Sequence, residues 1–370
     1  MSPLVYSPVS SARRNSSNAG FPLKVFSIHA LYFFFLVFCV KTKTFTKTHI
    51  THELTKKNMT LLCHRCYRTT TSAASSSSSS NSNEKKTRKL ALITGTTDGI
   101  GKHTARRLVE QNIDVIVHGR SQERVEKTVA EINKVTGKDV GGKVVGAILS
   151  DLSSLEGVEH LYDRVKRDVV DRENRKLDIV VQNAGVFLPE RRLNERKIEL
   201  TFQTNVLAPY MLNCLLWNND ALDSEDCRIL NVASISQTSG VHLDDLTFER
   251  QWSDHWSYSH SKTCMKSLSF EMYLRMMKNS TIRGRTILTC DPGTVNTKML
   301  LAGWGPCGIQ VYDANDQFEL VTNDKFTLPQ NNGGYFVNRR LRQEAKSSPE
   351  TRLVWETCKR ETGVTFDFDV

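Results

Sequence analysis

The sequence predicts an α/β fold with a doubly wound parallel sheet, and three observations carry that prediction. Short apolar runs end in small residues, as in residues 90–94 before Gly95 and residues 177–182 before Asn183-Ala184-Gly185. Stretches with helical apolar spacing separate those runs. The first run opens directly onto a glycine-rich turn, Thr94-Gly95-Thr96-Thr97-Asp98-Gly99-Ile100-Gly101. Strands covered on both faces read as continuous apolar runs, and strands alternating with helices give βαβ units with right-handed crossovers.

The elements follow in order. Residues 90–94 form the first strand, and residues 100–112 carry the helix after the turn. Glycines at this junction allow a tight turn and a close approach of backbone to a pyrophosphate, which the free amides of a helix N-terminus would hold; this is the Rossmann-like arrangement. Gly95, Thr97, Gly99, Ile100 and Gly101 are the candidate contacts. Residues 114–120 form the second strand, whose tip offers Gly119-Arg120 where an NAD site places an acid on the ribose hydroxyls. An acid would repel a 2′-phosphate and a guanidinium would grip it, so the tip favours NADP(H), with Ser121 and Arg124 as further contacts. The third strand spans 144–149 and ends at Ser150-Asp151-Leu152; the fourth spans 177–182. A fifth, at 228–230, leads into Asn231-Val232-Ala233-Ser234. Gly333-Gly334-Tyr335-Phe336 turns into a last strand, and Trp355 lies in a terminal helix.

Tyr258-Ser259-His260-Ser261-Lys262 supplies the chemistry. A phenol titrates near 10, so a Tyr that exchanges a proton with a carbonyl oxygen needs its anion stabilised. Spacing i to i+4 puts Lys262 on the same helix face, where its charge is expected to lower the phenol pKa.

With these residues in view, the chain from about Lys89 to Phe368 resembles the short-chain dehydrogenase/reductase family, in its retinol-dehydrogenase-like branch. The motifs come in the family's order: residues 94–101 for the pyrophosphate, Asp151 for the adenine side, Asn183-Ala184-Gly185 beside the cofactor, Tyr258 and Lys262, then Asp291-Pro292-Gly293-Thr294-Val295-Asn296-Thr297 by the nicotinamide. The resemblance implies catalytic roles for Ser234, Tyr258, Lys262 and Asn205, with Ser236 as the competing serine. Tyr258 and Lys262 are also implied in cofactor binding, as are Pro292, Gly293, Val295 and Thr297. Ala233 stands where the family more often has Ser, and Ala208 where it has Gly. A homo-oligomer is a further implication.

On the substrate side, Trp252, His255, Trp256, Met299, Leu300, Leu301 and Trp304 suggest a small hydrophobic carbonyl or alcohol substrate, such as a retinoid, steroid or lipid. The same residues would equally serve an ordinary core or a dimer helix. Residues 303–308 read as a loop in which Trp304 closes on a ligand. His255 and His260 are expected at the surface or behind the catalytic residues, because Tyr258 already fills the acid–base role. Two other readings stand beside the oxidoreductase: a reductase of a carbon–carbon double bond similar to protochlorophyllide reductase, and a non-catalytic cofactor-binding scaffold.

Composition sets the remaining bounds. The net charge is +10, but 14 of the 50 Lys/Arg and only 2 of the 40 Asp/Glu fall in residues 1–89, leaving 36 against 38 beyond them. No nucleic-acid partner is therefore expected. Nine scattered cysteines do not form a disulfide framework, and Cys63-His64-Arg65-Cys66 lacks a second pair for zinc, so no metal is expected. Residues 1–85 are expected to be a low-complexity, disordered extension preceding a single domain at 86–370. Within it, the apolar stretch 25–40 is shorter than the roughly 20 residues of a comfortable span but long enough for a signal anchor, giving membrane association. A start at Met59 would remove that anchor and leave a Ser/Thr/Arg-rich leader free of acids until Glu84, resembling a mitochondrial or plastid transit peptide.

Overall fold

The computed structural model describes residues 88–135, 141–223, 225–278 and 284–369. The expected extension with its 25–40 anchor, and the Cys63/Cys66 pair, lie outside the described residues. Among the described residues no helix is long and apolar enough to cross a membrane, and no group of three His, Cys, Asp or Glu side chains could hold a metal ion.

An eight-stranded sheet forms the centre, in the order β3-β2-β1-β4-β5-β6-β7-β8. Its strands are β1 (Leu90–Ile93), β2 (Asp114–Gly119), β3 (Val144–Leu149), β4 (Ile179–Gln182), β5 (Cys227–Val232), β6 (Arg285–Asp291), β7 (Tyr335–Val337) and β8 (Arg340–Gln343). Strands β1 to β7 pair in parallel, while β8 returns antiparallel to β7. The chain winds outward from β1 to β3, then restarts at β4 on the other side. A crevice at the C-terminal tips of β1 and β4 follows from that reversal, and it is where such sheets bind ligands.

The central strands read as predicted: every residue of β1 and β4 is buried. Two apolar layers cover the sheet. One is built on α3 (Leu155–Val165), α4 (Ala208–Asn218), α5 (Asp254–Lys278) and α8 (Pro349–Thr362), and the other on α1 (Gly99–Glu110), α2 (Gln122–Val135) and α7 (Asp316–Thr322). The short α6 (Lys298–Gly303) belongs to neither layer and buries no side chain.

Helix boundaries have local causes. Asp98 caps α1, its carboxylate accepting from Gly99 N at 2.8 Å. In α8, Ser348 Oγ accepts from Thr351 N at 3.2 Å and Thr351 Oγ1 from Ser348 N at 2.9 Å, a reciprocal capping box followed by Pro349 at the first turn. Gly363 closes the helix in the left-handed conformation at φ 71°.

The buried strand β6 was not foreseen in the sequence, and neither was β8. The latter is wholly exposed, so it lacks the apolar run that marked the predicted strands. Its cause is the two-residue turn Asn338-Arg339, both with positive φ (50° and 59°), which folds the chain back as a tight hairpin.

Candidate active site

The glycine turn is held from below by Asn183. Its Nδ2 donates to Thr94 O at 2.9 Å and to Gly95 O at 3.1 Å, and its Oδ1 accepts from Gln317 Nε2 at 3.0 Å. The Asn183 amide, expected beside a cofactor, is thus fully engaged in bracing the turn. A Cβ on Gly101 would lie 2.3 Å from Asn183 Nδ2 and 2.4 Å from Gly95 O, so only glycine lets helix and turn meet. Gly95 and Gly99 adopt φ of 70° and 54°. At the strand tips, Arg120 and Asp151 are both exposed. Arg124 is less free than expected: it pairs with Asp98 at 3.1 Å, and Lys298 joins the same carboxylate at 2.9 Å.

Tyr258 and Lys262 lie on α5, both buried. Lys262 Nζ donates to Val232 O at 2.9 Å, which ties the helix to the end of β5. Asn205 sits in a π-helical segment, Gln203–Leu207, that leads into α4. Its Oδ1 accepts from Val186 N at 2.8 Å, and its Nδ2 donates to Val186 O at 3.0 Å and Ser261 Oγ at 2.9 Å. The bare backbone of Gly185 joins the two: a Cβ there would lie 3.2 Å from Asn205 Oδ1 and 3.3 Å from Lys262 Nζ.

Ser234 Oγ accepts from Ser236 N at 3.0 Å, and its hydroxyl lies near enough to the Tyr258 phenol to favour the phenolate. Its own carbonyl accepts from Tyr335 OH at 2.9 Å, so β7 steadies the loop after β5. Ser236 turns elsewhere, its hydroxyl 2.9 Å from Ser259 Oγ. Asp291 ties the Ser234 loop to the Pro-Gly turn: Oδ1 accepts from Ile235 N at 2.8 Å and Oδ2 from Gly293 N at 3.2 Å.

Electrostatics correct one expectation. Burial pushes the Tyr258 phenol up to about 12, against the Ser234 hydroxyl and with the help of the Asp291 charge. The same burial brings Lys262 down to about 8. Its ammonium is 5.7 Å from the Tyr258 ring centre and spends a hydrogen bond on a carbonyl, so desolvation outweighs the stabilisation that spacing alone suggested.

Three rings wall the space above Tyr258. Phe187, Trp304 and His255 pack edge-on or tilted, with centroids 4.9–5.1 Å apart, and Trp304 and Phe187 lie 5.5 and 5.9 Å from Tyr258. His255 Nε2 donates to Gly303 O at 2.9 Å, fastening α6 to α5. Trp256 points away, stacked on His260 and packed against His242 and Phe248, while Trp252 Nε1 donates to Glu199 Oε1 at 3.3 Å. Of the aromatic side chains expected on the substrate side before Tyr258, only His255 reaches the wall. Phe187 was missed, and its signal was its place two residues after Asn183-Ala184-Gly185. After the turn, Leu301 is exposed, while Thr297 caps α6 and packs on the glycine turn: a Cβ on Gly99 would lie 3.0 Å from its methyl. Val295 is buried and bridges to Ile309.

A family model described as short chain dehydrogenase matches residues 89–302. Polyprenol dehydrogenase of Danio rerio is 32% identical over 220 residues, covering 57% of this chain and 63% of that one. Retinol dehydrogenase 13 of Homo sapiens is 27% identical over 217 residues, covering 57% and 60%. The chain thus spans about three fifths of the length of these relatives. Among solved structures, a protein from Mycobacterium paratuberculosis superposes with a TM-score of 0.56 at 22% identity, over 75% of this chain and 94% of its own. A short chain dehydrogenase from Shigella flexneri 2a, complexed with NADP, superposes at 0.52 and 20%, over 68% and 97%. At such identities the two structures speak for the fold alone.

Proposed function

The chain belongs to the short-chain dehydrogenase family, and from that premise we propose that it is an oxidoreductase exchanging hydride between NADP(H) and the carbonyl or alcohol carbon of an apolar, retinoid-, steroid- or lipid-like substrate. The observation that carries the reading is the meeting of Ser234, Tyr258, Lys262 and Asn205 at the C-terminal tips of the strands, beside bare Gly185 and under an apolar wall. The glycine turn fits a pyrophosphate, since its left-handed Gly95 and Gly99 leave backbone without side chains at the start of α1. Exposed Arg120 at the tip of β2 suits a 2′-phosphate. NADP(H), named in the Shigella flexneri structure, agrees with that choice. When bound, the cofactor supplies or accepts the hydride.

The chain's own residues do the rest. Ser234 and Tyr258 stand close together, and a carbonyl oxygen between their hydroxyls would accept from both. Tyr258 gives that oxygen its proton in reduction and takes it back in oxidation. A phenol held near 12 stays protonated at neutral pH, the form reduction needs. Lys262 and Asn205 flank Gly185, and Tyr258 would be reprotonated through Lys262 and a water held by Asn205. Phe187 and Trp304 offer the substrate aromatic surface and keep water from the reacting carbon. For the N-terminal residues we keep the leader proposal, anchor or transit peptide, which N-terminal sequencing of the native protein resolves.

The test is NADPH and NADH oxidation by the full-length protein with retinals, steroid ketones and long-chain aldehydes. NADPH-dependent turnover is expected, with Tyr258→Phe lowering kcat by about 10²–10⁴-fold while still binding NADPH. Undiminished turnover in Tyr258→Phe would overturn the acid–base assignment, and a chain that binds neither cofactor would overturn the reading itself.

A further inference from the structure

We propose that His118 is a positioning residue of the cofactor site, holding the glycine turn and the tip of β3 in register and thereby setting the affinity for NADP(H). The inference rests on the functional reading above. His118 is the next-to-last residue of β2 and is 3% exposed. It stands between the tips of β1 and β3, its two neighbours in the sheet.

Every polar group of this residue is used. Nδ1 lies 3.1 Å from Gly95 N, and Nε2 lies 3.2 Å from Ser150 O. An amide only donates and a carbonyl only accepts, so the ring is one neutral tautomer, bare at Nδ1 and protonated at Nε2. The main chain is bound as firmly: Thr96 N donates to His118 O at 2.9 Å, Thr96 Oγ1 to the same oxygen at 3.1 Å, and His118 N to Thr96 Oγ1 at 2.9 Å. One residue therefore fixes Gly95 and Thr96 on one side and Ser150 on the other. Gly95 opens the turn that would cradle the pyrophosphate, and Ser150 precedes Asp151 on the adenine side.

Two further observations agree. Burial pushes the ring down to about 4, against the Ser150 hydrogen bond and the Asp151 charge, so both ring bonds persist at physiological pH. The contact has no slack: a Cβ on the neighbouring Gly119 would lie 2.3 Å from the Thr97 methyl. The turn is seated directly on the tip of β2, and the ring decides its height. A histidine that merely filled space would contribute to stability alone; a ring that sets the turn changes how well the cofactor binds.

The experiment titrates NADPH into the full-length protein by its fluorescence and measures kinetics at saturating carbonyl substrate. His118→Leu removes both ring bonds, while the amide of His118→Asn can still accept from Gly95 N. Expected are a Kd and KM for NADPH raised about tenfold in His118→Leu, the equivalent of one lost hydrogen bond, with kcat at saturating NADPH within about twofold. His118→Asn should recover part of that affinity. A folded His118→Leu protein with the wild-type Kd, or one whose kcat falls as far as its affinity, would overturn the proposal. If His118→Leu does not fold, His118→Asn decides, because it loses the Ser150 bond, and a wild-type Kd there overturns it equally. A wild-type chain that binds no NADPH overturns the functional reading first, and this inference with it.

Discussion

Ser234 and Ser236 stand two residues apart, yet their hydroxyls turn to two consecutive residues of α5, Ser234 to Tyr258 and Ser236 to Ser259. That difference makes a residue-scale prediction. Ser234→Ala should lower kcat by about 10²-fold, the typical loss of one oxyanion-stabilising donor, and Ser236→Ala should leave kcat within about threefold. Steady-state rates of the two variants check it, and equal losses would sink the assignment. The Tyr258–Lys262 spacing was legible because i to i+4 is a property of any helix. The direction in which the phenol titrates was not, because the phenol is buried by groups remote in sequence, Phe187 and Trp304 among them. Phe187 escaped for the same reason: an aromatic in the loop five residues after β4 has no pattern until Trp304 and His255 arrive beside it.

At the scale of elements, the first four strands were legible almost to the residue, β6 went unread although six of its seven residues are buried, and the breaks have causes. The fifth strand is longer than its apolar run, Cys227–Val232 against residues 228–230. Arg228 sits inside it, 2% exposed, because its guanidinium donates to Val321 O at 3.1 Å and pairs with Asp324. A buried cation reads as a strand end in sequence and is tolerated in structure only through partners from elsewhere. The terminal helix α8 was marked by Trp355, and its packing shows why. Trp355 is fully buried, edge-on to Tyr210 at 5.2 Å and stacked on Phe366 at 5.2 Å, with Nε1 donating to Asp369 Oδ2 at 2.8 Å. Trp355→Ala should cost about 3–5 kcal/mol, seen as a lower denaturant midpoint. A shift under about 1 kcal/mol would mean that α8 closes on itself without that anchor.

For the whole molecule, stability should depend on acid through two buried histidines. His118 and His260 are both pushed down to about 4, by burial first, so the native state keeps them neutral. The unfolded chain binds their protons below about 6.5, so their contribution is present above that pH and is lost as pH falls toward 4. The carboxyls of buried Asp291 and half-buried Asp178 and Asp316, raised by desolvation, act in the opposite sense at lower pH. The histidines therefore show most clearly between pH 7 and 5.5, where about 2 kcal/mol of unfolding free energy should disappear. Urea midpoints at those two pH values measure it, and coincident curves would contradict it.

The same molecule carries one piece fastened in another way. Helix α6 buries no side chain and is held by Lys298 on Asp98 at one end and Gly303 O on His255 at the other. Lifting it would uncover no core strand but would part Gly303 and Trp304 from Phe187, so the cost of admitting a substrate has a Coulombic share at Lys298 and an apolar share at the wall. Dissolved ions reach only the first of these, since charges at a surface are screened beyond roughly 10 Å at 0.1 M salt. Ionic strength is then the dial that loosens the door while leaving the house standing.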